Sequence, residues 1–92
     1  MLNLQREKFF QNLNKDDLLR EIESVSDQDF EQHLRMVVKY FIYADQDVNL
    51  LSSLLERKTT AIFYIVDALI KEAELISGDK RSQVGEVIWN SI

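Results

Sequence analysis

"LLSSLLERKTTAIFYIVDAL", residues 50–69, is the stretch whose reading decides the fold. Leu51, Leu54 and Leu55 recur at helical spacing and share one face. Glu56, Arg57 and Lys58 interrupt the pattern, and Thr59 or Thr60 then opens a second apolar run. A threonine hydroxyl can accept an unpaired amide at a helix start, which is why the break is expected there. Nothing between residues 56 and 60 obliges a break, however, and one continuous helix over 47–77 is the alternative. Ile62, Phe63, Tyr64, Ile65 and Val66 leave the second run apolar on nearly all sides. Such a helix must be central in its domain or sandwiched against another chain.

The rest of the chain reads as helices on either side of this pair. Upstream, Asp45 or Asp47 can cap the helix bearing Val48 and Leu51. Before it, Phe30, Leu34, Val37, Val38, Phe41 and Ile42 form a wide amphipathic stripe, entered through Ser26 or Asp27. Leu18, Leu19, Ile22 and Val25 follow a cap at Asn14, and residues 3–13 carry Leu4, Phe9, Phe10 and Leu13. Downstream, the apolar helix is expected to run to Ser77. Gly78 would end it in the left-handed conformation that glycine adopts without penalty. Asp79 would cap a last short helix bearing Val84, Val87, Ile88 and Ile92.

The expected fold is therefore all-α: one domain, residues 1–92, folded as a compact bundle of four to six short helices with a possible helix-turn-helix-like pair at 47–77. Composition agrees. Proline is absent and glycine occurs only at 78 and 85, whereas an all-β domain leans on both for its turns. "MVVKYFIY" and "TTAIFYIV" are rich in strand-forming residues. Their turn signals lie too far apart for a hairpin, and the spacing around the first run has the helical period. A chain this short buries a modest core, so pairing with a second chain would help it.

Several classes of function are disfavoured. Without cysteine there is neither a disulfide framework nor a thiolate metal site. Arg6, Glu7 and Lys8 interrupt any apolar signal-peptide run, and no segment approaches the roughly 18–20 apolar residues of a membrane span. A cytoplasmic protein with no membrane partner is expected. A net charge of −5 disfavours nonspecific attraction to nucleic acid or anionic lipid.

The opening stretch has the apolar spacing of a helix-turn-helix, with Leu51, Leu54, Leu55, Ile62, Ile65 or Val66, and Leu69 at the helix contact. Glu56 and Arg57 stand where that motif usually holds a glycine and an apolar residue. The chemistry departs further. A recognition helix offers Arg, Lys, Asn or Gln to base edges, yet residues 59–69 contain none of these and do contain Asp67. Core or interface is the preferred reading of this helix. Nucleic acid is not expected as a partner, although a positive surface from Arg57, Lys58, Lys80 and Arg81 in a dimer keeps a transcription regulator as the alternative.

"KDDLLREIESVSDQDFE" places seven acids, Asp16, Asp17, Glu21, Glu23, Asp27, Asp29 and Glu31, against the single base Arg20 over residues 16–31. Carboxylates near helix starts are favoured by the helix dipole, which is the plain account of them. The functional account is a recognition surface for a basic protein, as an inhibitor, immunity protein or nucleic-acid mimic would present.

Catalysis is not expected. His33 is the only histidine, and no nucleophile elbow, HExxH, Walker loop, GxGxxG or EF-hand spacing is present. Adjacent acids such as Asp16 and Asp17 point apart on a helix. No catalytic residue, cofactor or metal ligand is assigned. The site residues are instead those of a protein interface: Tyr40 and Tyr43 off the main stripe, Phe63 and Tyr64 facing outward, and Trp89, since large aromatics dominate interfaces. The expected function is a small acidic regulator, inhibitor or chaperone-like adaptor, homodimeric, with a structural subunit as a further alternative.

Overall fold

The computed structural model describes residues 4–91, with side chains from Lys8 onward. The expectations for the side chain of Leu4 and for Ile92 lie outside the described residues. The described residues form an all-α bundle: α1 (Leu4–Gln11), α2 (Lys15–Ser24), α3 (Asp27–Tyr43), α4 (Val48–Arg57), α5 (Ala61–Lys71), a 3₁₀ turn at Ala73–Leu75, and α6 (Gly78–Asn90). The 47–77 stretch is thus two helices, not one. Their connection is Lys58 to Thr60, and α5 starts from Thr60 without a side-chain cap bond.

The helix starts follow their capping residues. Asn14 Oδ1 accepts from the Asp17 amide at 3.1 Å, Ser26 Oγ from Asp29 at 3.2 Å, and Asp47 Oδ1 from Asn49 at 3.0 Å. Each satisfies one of the orphan donors of a first turn. The α3 stripe is buried as its spacing predicts, from Phe30 through Ile42. α4 packs against α2, α3, α5 and α6, and its Leu50, Leu51 and Leu54 are wholly buried.

The chain corrects the expectation for residues 72–79. α5 stops at Lys71, six residues before Ser77, and the 3₁₀ turn follows. Contacts remote in sequence hold that turn: Tyr43 Oη donates to Glu72 at 3.2 Å, and the Gln46 amide donates to the Leu75 carbonyl at 3.0 Å. The change of direction brings Ile76 into the core. Ser77, not Asp79, caps α6, and Gly78 is that helix's first residue; among the described residues none has positive φ.

Asp47 joins capping to tertiary structure, because Lys15 Nζ bridges Asp45 at 3.0 Å and Asp47 at 3.2 Å. The Asn49 amide, and then Lys15, hold the Asp47 carboxyl below its ordinary range against an opposing burial effect. A depressed carboxyl lends stability that is present above the unfolded value and lost as pH falls through the folded one. Asp47→Ala should cost about 1 kcal/mol, lowering Tm by about 4–8 °C in a domain of this size. That deficit should shrink on acidification, and thermal melts of both proteins across the acid range check it.

Candidate functional site: an apolar cleft between α5 and α6

α5 meets the bundle through Ala61 and Ile65, and α6 through Val84. Both helices lean on α4, and α5 leans on α3 as well. Between them lies an open cleft of about 360 Å³. Val66, Leu69 and Ile70 form one wall, Val84, Gly85 and Ile88 the other, and Ala73 and Ile76 close the end. Arg81 is the only charged residue in this lining.

The same two helices also expose large apolar side chains, Ile70 in the cleft wall and Phe63 and Trp89 outside its lining. Phe63 is 76% exposed, Ile70 69% and Trp89 77%. Phe63, Val66 and Ile70 recur at i, i+3 and i+7, the spacing of a helix seam. Asp67 and Lys71 beside them pair with each other at 2.9 Å, so that rim carries no net charge.

No close packing inside the subunit requires a glycine at position 85. Gly85 lies within α6, where glycine costs roughly 1 kcal/mol relative to alanine. A Cβ built on it would meet nothing within 4 Å. What the missing side chain does is deepen the cleft.

The five aromatic interface candidates divide. Phe63 and Trp89 are exposed. α6 packs back through Val84, with Val87 and Ile88 partly buried, and leaves the indole outside. Tyr64 is half-buried against the core rather than outward-facing. Tyr40 is corrected outright: it is buried, because α1, α2, α4 and α5 together cover α3 more widely than its stripe suggests. Tyr43 is partly buried, stacked on Phe10 with ring centres 5.8 Å apart. Sequence reasoning missed Ile70 and Gly85; a glycine within a helix was legible, whereas the apolar run around Ile70 hid its seam.

All seven acids of residues 16–31 are exposed. Five have partners in their own chain: Asp17 with Arg20, Glu21 with His33, Asp27 with Arg57, Asp29 with Ser26, and Glu31 with Arg35. His33 is buried. Its Nε2–H donates to the Leu18 carbonyl at 3.1 Å, and Nδ1 lies 3.5 Å from the Glu21 carboxylate.

The cation set of the nucleic-acid alternative is also partly committed. Arg57 donates to the Ile22 and Val25 carbonyls and to Asp27, and its guanidinium lies 5.2 Å from the Phe30 ring centre. Arg81 Nε donates to the Ile76 carbonyl. Lys58 and Lys80 remain at the surface, Lys58 over Phe30 and Lys80 bonded to Gln83. Among the described residues no three acidic or histidine side chains converge as metal ligands, and no helix is long and apolar enough to cross a membrane.

Burial holds the Tyr40 phenol above its ordinary range, with Asp45 adding to the effect. Hydrogen bonds to Asp45 and then Asp47 push Lys15 up to about 12. A raised group lends stability that is intact below its unfolded value and lost as pH rises through the folded one. Stability should therefore begin to fall above about pH 10, Tyr40 first and Lys15 after it. Urea midpoints through the alkaline range check this, and one of the three tyrosines should ionise late by absorbance.

No protein-family model, curated protein or solved structure matches the chain.

Proposed function

We propose that this chain is a small non-enzymatic regulator, inhibitor or chaperone-like adaptor of the cytoplasm that works by burying its α5–α6 surface against another polypeptide. One observation carries the reading: α5 and α6 enclose an apolar cleft and also expose Phe63, Ile70 and Trp89, none of which belongs to the buried core. Apolar surface of this kind gains free energy when water leaves it, and aromatics supply most of what an interface gains. The exposed acids of α2 and of the start of α3 give the same protein a face that steers a basic partner.

The transcription-regulator reading is the weaker one. α5 presents Phe63, Val66, Asp67 and Ile70 to solvent, and Arg57 is turned inward onto α2. Phosphate contacts would have to come from Lys58, Lys80 and the remaining donors of Arg81.

The test is a Phe63→Glu, Ile70→Glu double variant, expected to keep the far-ultraviolet helical signal. The wild-type chain in host extract should elute as part of a larger assembly and the variant as a lone subunit. Identical elution of the two sinks the reading. Micromolar, salt-sensitive binding of the wild type to duplex DNA would favour the regulator instead.

A further inference from the structure

We infer that a second copy of this chain fills the α5–α6 cleft, each copy seating its Trp89 indole over the other's Gly85 while the two Phe63–Val66–Ile70 seams close around the pair. This rests on the reading that α5–α6 is a protein interface, and it names the occupant.

Knob and hole lie on one face. Trp89 is one helical turn from Gly85 and adjoins Ile88, so the most exposed aromatic of the chain stands at the lip of its own cleft. A surface carrying a projection beside a matching recess is self-complementary, and a twofold axis between two copies satisfies both contacts at once. Phe63, Val66, Ile70 and Trp89 together expose roughly 500 Å² of apolar surface, by ordinary side-chain areas. That matches the apolar share of a standard interface of about 800 Å² per partner.

The lining selects an aromatic. Its walls are aliphatic and hold no carboxylate, and Arg81 supplies a cation suited to the face of an indole. Gly85 is the independent observation. Nothing within the subunit needs the missing Cβ, while an indole approaching from outside does. Charge permits the contact as well, since Asp67 and Lys71 neutralise each other on the rim and the seven clustered acids lie on α2 and the start of α3.

Trp89 is the only tryptophan, so fluorescence reports the contact directly. Diluted full-length chain should emit as a water-exposed indole, and concentrating it should shift emission to the blue as sedimentation reports a dimer. Gly85→Leu places its side chain in open space within the subunit and fills the hole. At high dilution it should keep or raise Tm, and at every concentration it should remain monomeric with the indole exposed. Trp89→Ala should weaken dimerisation by roughly 30-fold or more, as loss of an interface anchor does.

A wild-type chain that stays monomeric with exposed emission at 100-fold the concentration where the shift is sought overturns the inference. So does a dimer whose indole stays wet, or one that Gly85→Leu leaves intact. If the chain is monomeric yet the Phe63→Glu, Ile70→Glu variant still loses its assembly in extract, the second copy is excluded and the interface reading stands.

Discussion

Phe41→Ala is expected to remove about 3–5 kcal/mol of folding stability, the usual cost of truncating a fully buried phenylalanine. Phe41 is the largest wholly buried side chain, set on α3 where that helix is wrapped by α1, α2, α4 and α5. A domain of this length holds only about 5–14 kcal/mol in all, so about a fifth or more would go. Phe63→Ala is the internal control. The same side chain is removed, but 76% of it is already in water, and the isolated subunit should lose well under 1 kcal/mol. Urea denaturation of both variants by circular dichroism reads the contrast. If subunits associate through α5, the Phe63→Ala deficit should grow with protein concentration, because binding that belongs to the folded state adds to stability by mass action. The Phe41→Ala deficit should not. Comparable losses for the two at high dilution would mean that α5 is not exposed in the subunit.

The difference between these phenylalanines also shows what was legible in sequence. Phe41 belongs to a stripe repeated over four turns, and a period sustained that long has one reading: every residue of the stripe is buried. Asn14 and Ser26 are as clear, because an N-cap acts on an amide only a few residues on. Phe63 lies in a run with apolar residues on all sides, where no period distinguishes inside from outside. There the sequence implies only that the run is central in its domain or sandwiched against another chain. The end of α5 was misread for a related reason. Ser77 and Gly78 suit a helix start as well as a helix stop, and Gln46 and Tyr43, roughly 30 residues away, decide between them. Tyr40 lies off the α3 stripe and is still buried, because α1 and α2 pack onto the flanks of that helix. Periodicity and capping are local and readable. Which second face of a helix is covered depends on neighbours that the spacing does not encode.

Arg57 tests that limit most sharply, since its sequence context suggested a cation beside a DNA-reading helix. Arg57→Ala is expected to cost about 2–4 kcal/mol, because charged hydrogen bonds are strong and the freed carbonyls sit at a partly buried helix end. Its guanidinium satisfies the carbonyls of Ile22 and Val25, where α2 runs out of amide partners, and lies over the Phe30 ring. The ion pair with Asp27 contributes little to that sum. Asp27 is fully exposed, and pairs screened by water contribute about 0–1 kcal/mol. Asp27→Asn alone should therefore be nearly silent, and the Arg57–Asp27 double-mutant cycle should show coupling below about 1 kcal/mol. Arg57→Lys should recover less than half of the loss, because an ammonium is a point charge that cannot fork between two carbonyls and stack on a ring. Urea midpoints of the four proteins give all three quantities. Should Arg57→Ala fold as stably as the wild type while abolishing binding to duplex DNA, Arg57 would be a phosphate contact, and α4 and α5 would be a DNA reader after all.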